Sequence, residues 1–375
     1  MTVRLDPVRL WAIARKEAIQ LRRDRRSLAL AFALPLLLLV LYGYAIVWDV
    51  GDIALAVVDQ DRSAASRELV DGFLASGYFS LAATPERPEE AAQLFALDTA
   101  LIVLVIPPGF AADLGGGRTA RLQVLLDGSD ANTATIAMGY AEAVARTFGQ
   151  NVLLDGMRMS LPLVAESRVW YNETLESRNM IVPGLVAVIM MTIAAMLTSL
   201  TIAREWERGT MEQLAATPVT RLEVVFGKLL PYLAIGLADT AAVTVLAVAL
   251  FGVPLRGSPL LLLPLSFFFL CGALGLGLFI SAASRSQVLA TQIALVVTFL
   301  PAFLLSGFMF AIENMPAPLR AATYLIPARY FIVVTRGIFL KGVGVEVLRV
   351  QGLLMIAFAV VGLALAVRSF RKELD

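Results

Sequence analysis

The chain is predicted to be an α-helical membrane protein, with six transmembrane helices in a one-plus-five layout and an α/β extracytoplasmic domain between helices 1 and 2. Three observations predict this. Apolar residues make up 58% of the chain and charged residues 16%, against roughly 45–50% and 25% in soluble domains. Six apolar stretches approach the length of about 20 residues that crosses a bilayer. A long segment between the first two stretches instead carries short β-rich runs closed by turn residues.

The six spans are residues 28–48, 180–203, 229–252, 259–282, 288–310 and 352–367. The first is too long for a signal-peptide core, and Trp48-Asp-Val-Gly-Asp is not a small-residue cleavage site, so it is predicted to be a retained anchor. Residues 1–27 carry Arg4, Arg9, Arg15, Lys16, Arg22, Arg23, Arg25 and Arg26, and the tail 368–375 carries Arg368, Arg371 and Lys372. The positive-inside rule therefore puts both ends in the cytoplasm. Segment 204–228 then faces the cytoplasm as well, whereas 49–179 and 311–351 face outward. Arg320, Arg329, Arg336, Lys341 and Arg349 are basic residues on the outer side and run against the rule.

In 1–27, Leu10, Trp11, Ala14, Ala18 and Leu21 share one face at helical spacing, with Arg9, Lys16 and Arg23 opposite. This is read as an amphipathic helix held by anionic lipid on the inner leaflet, or as a plain basic flank. In 49–179, the runs 53–58, 100–106 and 121–126 are predicted strands, and 63–75, 89–97 and 134–154 helices, giving a small α/β domain. Asp127-Gly-Ser-Asp-Ala-Asn-Thr133 lacks EF-hand spacing and is read as a turn leading into a helix N-cap. Between the last two spans, 324–340 is apolar but broken by Pro327, Arg329 and Arg336, so it is predicted to be a re-entrant or interfacial helix pair.

Several chemistries are excluded by what is missing. There is no histidine, and the single cysteine, Cys271, falls inside the fourth span. Disulfides, Cys/His zinc sites and His-activated nucleophiles are ruled out, and no Gly-x4-Gly-Lys-Ser/Thr is present for nucleotide. The near-balance of charge gives no argument for nucleic acid.

The cytoplasmic segment has a local logic. Glu205, Glu207 and Arg208 leave the membrane and Gly209 permits a sharp bend. Thr210 is placed to cap a helix at Met211-Glu212-Gln213, with Gln213 at the capping-box position, and Pro218 ends it by disfavouring helix at Thr217. A two-turn helix tied to spans two and three is a rigid lever, whereas an ordinary solvated loop needs neither tight turns nor a cap. Asp239 lies near the middle of span three, where an ionised carboxylate costs roughly 2.5–3.5 kcal/mol. Either it hydrogen-bonds a neighbouring span, or it meets a cation or substrate in a pathway. Met190, Met191, Phe299 and Phe303 are candidate apolar lining for varied cargo. Gly272, Gly275 and Gly277 suit close helix packing.

Glu207-Arg-Gly-Thr-Met-Glu-Gln-Leu with Thr217-Pro218 and Gly227-Lys-Leu-Leu-Pro-Tyr232 resembles the signature of ABC-2 type transporter permeases. So do Tyr171-Asn172, Pro183-Gly184, Leu305-Ser-Gly-Phe308, Asn314-Met-Pro316, Tyr324-Leu-Ile-Pro-Ala-Arg-Tyr330 and Arg336-Gly-Ile-Phe-Leu-Lys-Gly342. The resemblance covers essentially the whole chain, departing from the family at Asn172-Glu173, where Asn-Pro is frequent. It implies that residues 207–217 form a coupling helix seated on a separate ABC ATPase subunit, with the N-terminal helix as a second contact. It also implies that two permeases pair, as a homodimer or with a paralogue. ATP and magnesium would be bound by the ATPase and neither by this chain, which would not itself be an enzyme. The large outer domain is similar to that of the drug-export branch, whose members often work with a periplasmic adaptor. The expected function is export of hydrophobic or amphipathic compounds across the inner membrane. An ion-coupled secondary transporter and a non-transporting sensor or scaffold are the rival readings.

Overall fold

The computed structural model describes residues 6–46, 52–129, 131–157, 171–172 and 176–370. Arg4, Trp48-Asp-Val-Gly51, Asp130, Glu173-Thr174, Arg371 and Lys372 lie outside the described residues. The chain forms two compact units, Trp48–Arg168 and the remainder.

The helical unit begins with α1 (Pro7–Arg23) and α2 (Arg25–Ala45) and resumes with α7 (Ser177–Glu207), α8 (Met211–Ala215) and α9 (Arg221–Phe251). It continues through α10 (Pro259–Ser284), α11 (Gln287–Leu304), α12 (Ala317–Ala322), α13 (Pro327–Arg336) and α14 (Val345–Ser369). Among the described residues, five of these, α7, α9, α10, α11 and α14, are long and apolar enough to cross a membrane. The first predicted span falls on α2, which opens with Arg25 and Arg26 and is helical through Ala45; residues 47 and 48 of that span lie outside the described residues. The segment around α12 and α13 is bent by 79° between Ala317–Leu325 and Pro327–Lys341. Pro327 forces that break, since it disfavours helix at Ile326, which is extended at φ −93° and ψ 110°.

Other boundaries move for local reasons. The third long helix starts at Arg221, eight residues before the apolar run, because Thr220 and Glu223 form a capping box. The fifth ends at Leu304 rather than Phe310, where Gly307 takes a left-handed φ of +81°. At the centre, α7 is buried over most of its length, and α10 packs on both α7 and α14. Small residues set these approaches. A Cβ on Gly277 would lie 2.1 Å from Thr198 Oγ1 and 2.3 Å from the Ala195 carbonyl, and one on Gly275 would lie 2.7 Å from the Gly362 backbone.

The second unit holds β1 (Ile53–Asp59), α3 (Ala64–Ala75), β2 (Phe79–Ala83), α4 (Ala91–Ala96), β3 (Ile102–Ile106), α5 (Phe110–Gly115), β4 (Gln123–Leu126) and α6 (Ala131–Met157). The sheet order is β2-β1-β3-β4, parallel except for β4. The β2 strand is absent from the sequence prediction, since Phe-Ser-Leu-Ala-Ala is a weak edge-strand sequence. β3 is buried at every position, as expected for a central strand covered on both faces. Asp61 accepts from the backbone N–H of Gly109 and Ala111 and so fixes the start of α5. Its carboxyl is held below the ordinary range by hydrogen bonds from Ser63 and from those amides. Asp127 accepts from the Ser129 N–H, making a turn.

Candidate coupling site

The N-terminal helix α1 lies along the first turns of α9. Ile13, Ala14, Glu17 and Leu21 form its buried stripe, while Trp11 and Ala18 of the expected apolar face are exposed. The close approach requires Gly227, where a Cβ would meet Ile13 at 2.8 Å and the Leu10 carbonyl at 3.1 Å. The seam is also bonded at its open end. The Asp6 N–H donates to Glu223 at 2.8 Å, and Arg9 donates to the Pro218 carbonyl at 2.6 Å.

In the middle of this seam four charges meet. Lys228 Nζ is 2.7 Å from Glu17 and 2.9 Å from Glu205, with all three side chains nearly inaccessible. Lys16 Nζ, half exposed, is 2.6 Å from Glu205 and 3.5 Å from Glu17. Two cations and two anions therefore balance where three helices, α1, α7 and α9, converge. Charges withdrawn from water this far are held only when each has a partner. For Lys16, burial works against the charge, but the attraction and hydrogen bond of Glu205, with Glu17 behind, raise its pKa above 10.5. Lys16, expected on the polar face of the helix, directs its ammonium to carboxylates of its own chain.

The stretch expected to be a lever is pinned at both ends. At its start, Glu207 accepts the Gln287 N–H at 2.7 Å and the Gln287 side-chain amide, which ties α7 to the first residue of α11. Arg285 lies over the Trp206 ring at 4.6 Å. Gly209 takes the left-handed φ of +67°, as the bend requires. At its end, the Arg9 bond holds Pro218, and Thr217 Oγ1 donates to the Leu214 carbonyl. Between these posts α8 is only five residues long. Thr210 is itself helical and makes no side-chain cap, its hydroxyl reaching back to the Glu205 carbonyl, so the expected capping box with Gln213 does not form. Met211 is buried, whereas Glu207, Arg208, Gly209, Glu212, Gln213, Thr217 and Pro218 are exposed. Glu205 is the exception among the predicted contact residues, since it turns inward to the lysines.

The other predicted residues fall elsewhere. Met190, Met191 and Asp239 are buried within the helical unit, and Asp239 Oδ2 has no hydrogen-bond partner among the described residues. Phe299 and Phe303 stack at 5.3 Å and extend into an aromatic group with Tyr42 and Phe308. Pro327 opens α13, and Arg329 lies over the Tyr324 ring at 4.1 Å and hydrogen-bonds Thr323. Arg336 donates to the Met180 carbonyl at 3.2 Å and reaches that of Gly307 at 3.5 Å, joining α13 to the start of α7 and the end of α11.

Sequence reasoning missed Glu17 and Lys228. A signal was present: Glu17 sits three residues after Ala14 and four before Leu21, a lone acid on an apolar stripe.

Comparison with known proteins identifies the frame that carries this site. The family model described as ABC-2 family transporter protein matches residues 25–368. The chain belongs to the ABC-2 family of transporter proteins. Among its relatives is the probable multidrug ABC transporter permease YbhS of Escherichia coli (strain K12), 39% identical over 99% of this chain and 100% of the relative. The probable multidrug ABC transporter permease YbhR of the same strain is 31% identical, over 90% of this chain and 92% of its own. The inner membrane transport permease YhhJ is 27% identical over 85% of each chain. This ABC-2 chain is accordingly a membrane permease, and the expectation drawn from its motifs holds at the level of family and permease role.

Proposed function

We propose that this permease exports hydrophobic or amphipathic drug-like compounds, driven by a separate ABC ATPase that seats on the exposed side of α8. The observation that carries the reading is the charge knot of Lys16, Glu17, Glu205 and Lys228, together with the pins at Gln287 and Pro218. A push on Glu212 and Gln213 is delivered to a helix too short to yield, held by bonds to α11 at one end and α1 at the other. The knot then joins α1, α7 and α9 so that they move as one body. ATP and magnesium belong to the partner, and ATP shifts the permease only as far as it binds its two conformations differently.

In this reading both termini and α8 are cytoplasmic, the six spans keep a one-plus-five order, and the α/β unit is extracytoplasmic. The second permease is a copy or a paralogue, as relatives named YbhS and YbhR coexist in one strain. A periplasmic adaptor engages the α/β unit. Met190, Met191, Asp239, Phe299 and Phe303 are assigned to the cargo pathway, and Arg336 closes the outer end of the bundle.

The test reverses the exposed surface of α8 with E212R/Q213R. The expected result is loss of ATPase co-purification and of cargo export from vesicles, with the permease itself folded and inserted. Wild-type levels of both would overturn the reading. Export that survives ATP depletion while an ion gradient stands would favour a secondary transporter instead.

A further inference from the structure

Beside the charge knot, a cavity of about 550 Å³ is lined by Lys16, Ile19, Gln20, Arg23, Asp24, Arg204 and Arg208. We propose that it binds the phosphate of an anionic glycerophospholipid.

The charges around the cavity decide its sign. Lys16 and Lys228 are balanced by Glu17 and Glu205, and Arg204 is paired with Asp24 at 3.2 Å. That leaves Arg23 and Arg208, both exposed and neither in an ion pair among the described residues. Two guanidinium groups thus face one cavity whose single carboxylate, Asp24, is already paired with Arg204, and a phosphate is what their planar donor sets fit best.

The depth of the cavity favours a lipid over a soluble phosphate. Asp24 is the last residue before α2, whose apolar run begins at Leu28, and Arg204 directly follows the apolar run of α7 that ends at Ala203. Both helices pass from apolar to charged at this level, which is where lipid headgroups lie. Ile19 lines the same cavity and is 43% exposed, giving an apolar wall along which an acyl chain runs. A lipid bound here would bridge the last turn of α1 and the last turn of α7, joining the amphipathic helix to the central span from the membrane side.

The experiment uses the full-length permease released from vesicles of phosphatidylcholine and phosphatidylglycerol, with retained lipid read by native mass spectrometry. Wild type should keep one phosphatidylglycerol per chain in preference to phosphatidylcholine. R23Q/R208Q should lower that preference about 30-fold, at about 1 kcal/mol for each basic residue near the surface. R15Q/R22Q removes the same amount of charge, from α1 alone and outside the cavity, and should leave retention within a few-fold of wild type. R23K/R208K keeps the charge but loses the planar donors, so its preference should fall between wild type and R23Q/R208Q, which distinguishes lost binding from lost folding. The proposal is overturned by equal loss in the two glutamine doubles, by no preference for phosphatidylglycerol in wild type, or by displacement of the lipid by excess inorganic phosphate. It is also overturned if R23Q/R208Q loses its ATPase subunit while its lipid retention is unchanged.

Discussion

Replacing Lys228 by methionine tests the knot most directly, because methionine keeps an unbranched apolar stem of nearly the same length and removes the ammonium with its charge and donors. In the intact site Lys228 sits between Glu17 and Glu205 at 2.7 and 2.9 Å. Without it Lys16 alone must serve both carboxylates. It still reaches Glu205 at 2.6 Å but lies 3.5 Å from Glu17, with half of its side chain in solvent. Removing one partner of a buried pair costs about 3–5 kcal/mol, and the surviving Lys16 contact places this case near the lower end, about 3 kcal/mol. Much of that cost falls on the seam between α1 and α9, so local opening of α1 should rise about 100-fold. Hydrogen exchange over residues 7–23 of the detergent-solubilised permease reads this. The double variant K228M/E17Q removes one charge of each sign and leaves Lys16 paired with Glu205, so it should be more protected than K228M alone. Unchanged protection of α1 in K228M, or a double variant as labile as the sum of the singles, would refute a structural role for the buried charges.

Four further outcomes are expected. A G277A Cβ would collide with Thr198 and the Ala195 carbonyl and disturb the Thr198 bond to the Leu274 carbonyl, so thermal unfolding should reveal a loss of about 1–3 kcal/mol. G209A must adopt a left-handed φ at the turn before α8, costing roughly 1–2 kcal/mol, and should weaken ATP-driven export more than it lowers the melting temperature. The raised pKa of Lys16 means its contribution is complete below 10.5 and is lost only as pH climbs through the higher folded value. Protection of α1 should therefore be flat from neutral pH to about 10. Asp61 has the opposite sign: its lowered pKa stabilises the α/β unit above pH 3.8, and that contribution is lost as pH falls through the folded value. D61A should lower exchange protection in β1 and β3 at neutral pH and remove the acid-dependent part of it.

Most of the long helices were legible because apolar length is a property of contiguous sequence: α7 and α10 follow their apolar runs closely, and α9 and α14 contain theirs but begin eight and seven residues earlier. The bend at Gly209 and the break at Pro327 were legible for the same reason, since each is set by one residue's backbone limits. The helix cap was misplaced because Thr210 and Thr220 both begin plausible capping boxes, and only the second is followed by a helix long enough to need one. The weak edge strand β2 escaped notice because its pairing with β1 comes from a distant part of the chain.

The sequence by itself determined the membrane class, the position of the charged elbow and the family likeness, because composition, periodicity and motif order require no knowledge of what touches what. Only the tertiary structure decided that Glu205 turns inward, that Lys16 meets carboxylates, and that Glu17 and Lys228 are joined across 211 positions of sequence. The physical reason is that a charge's role depends on the sign and distance of its neighbours in space. Those neighbours come from α1, α7 and α9, brought together by a glycine small enough to let two helices touch.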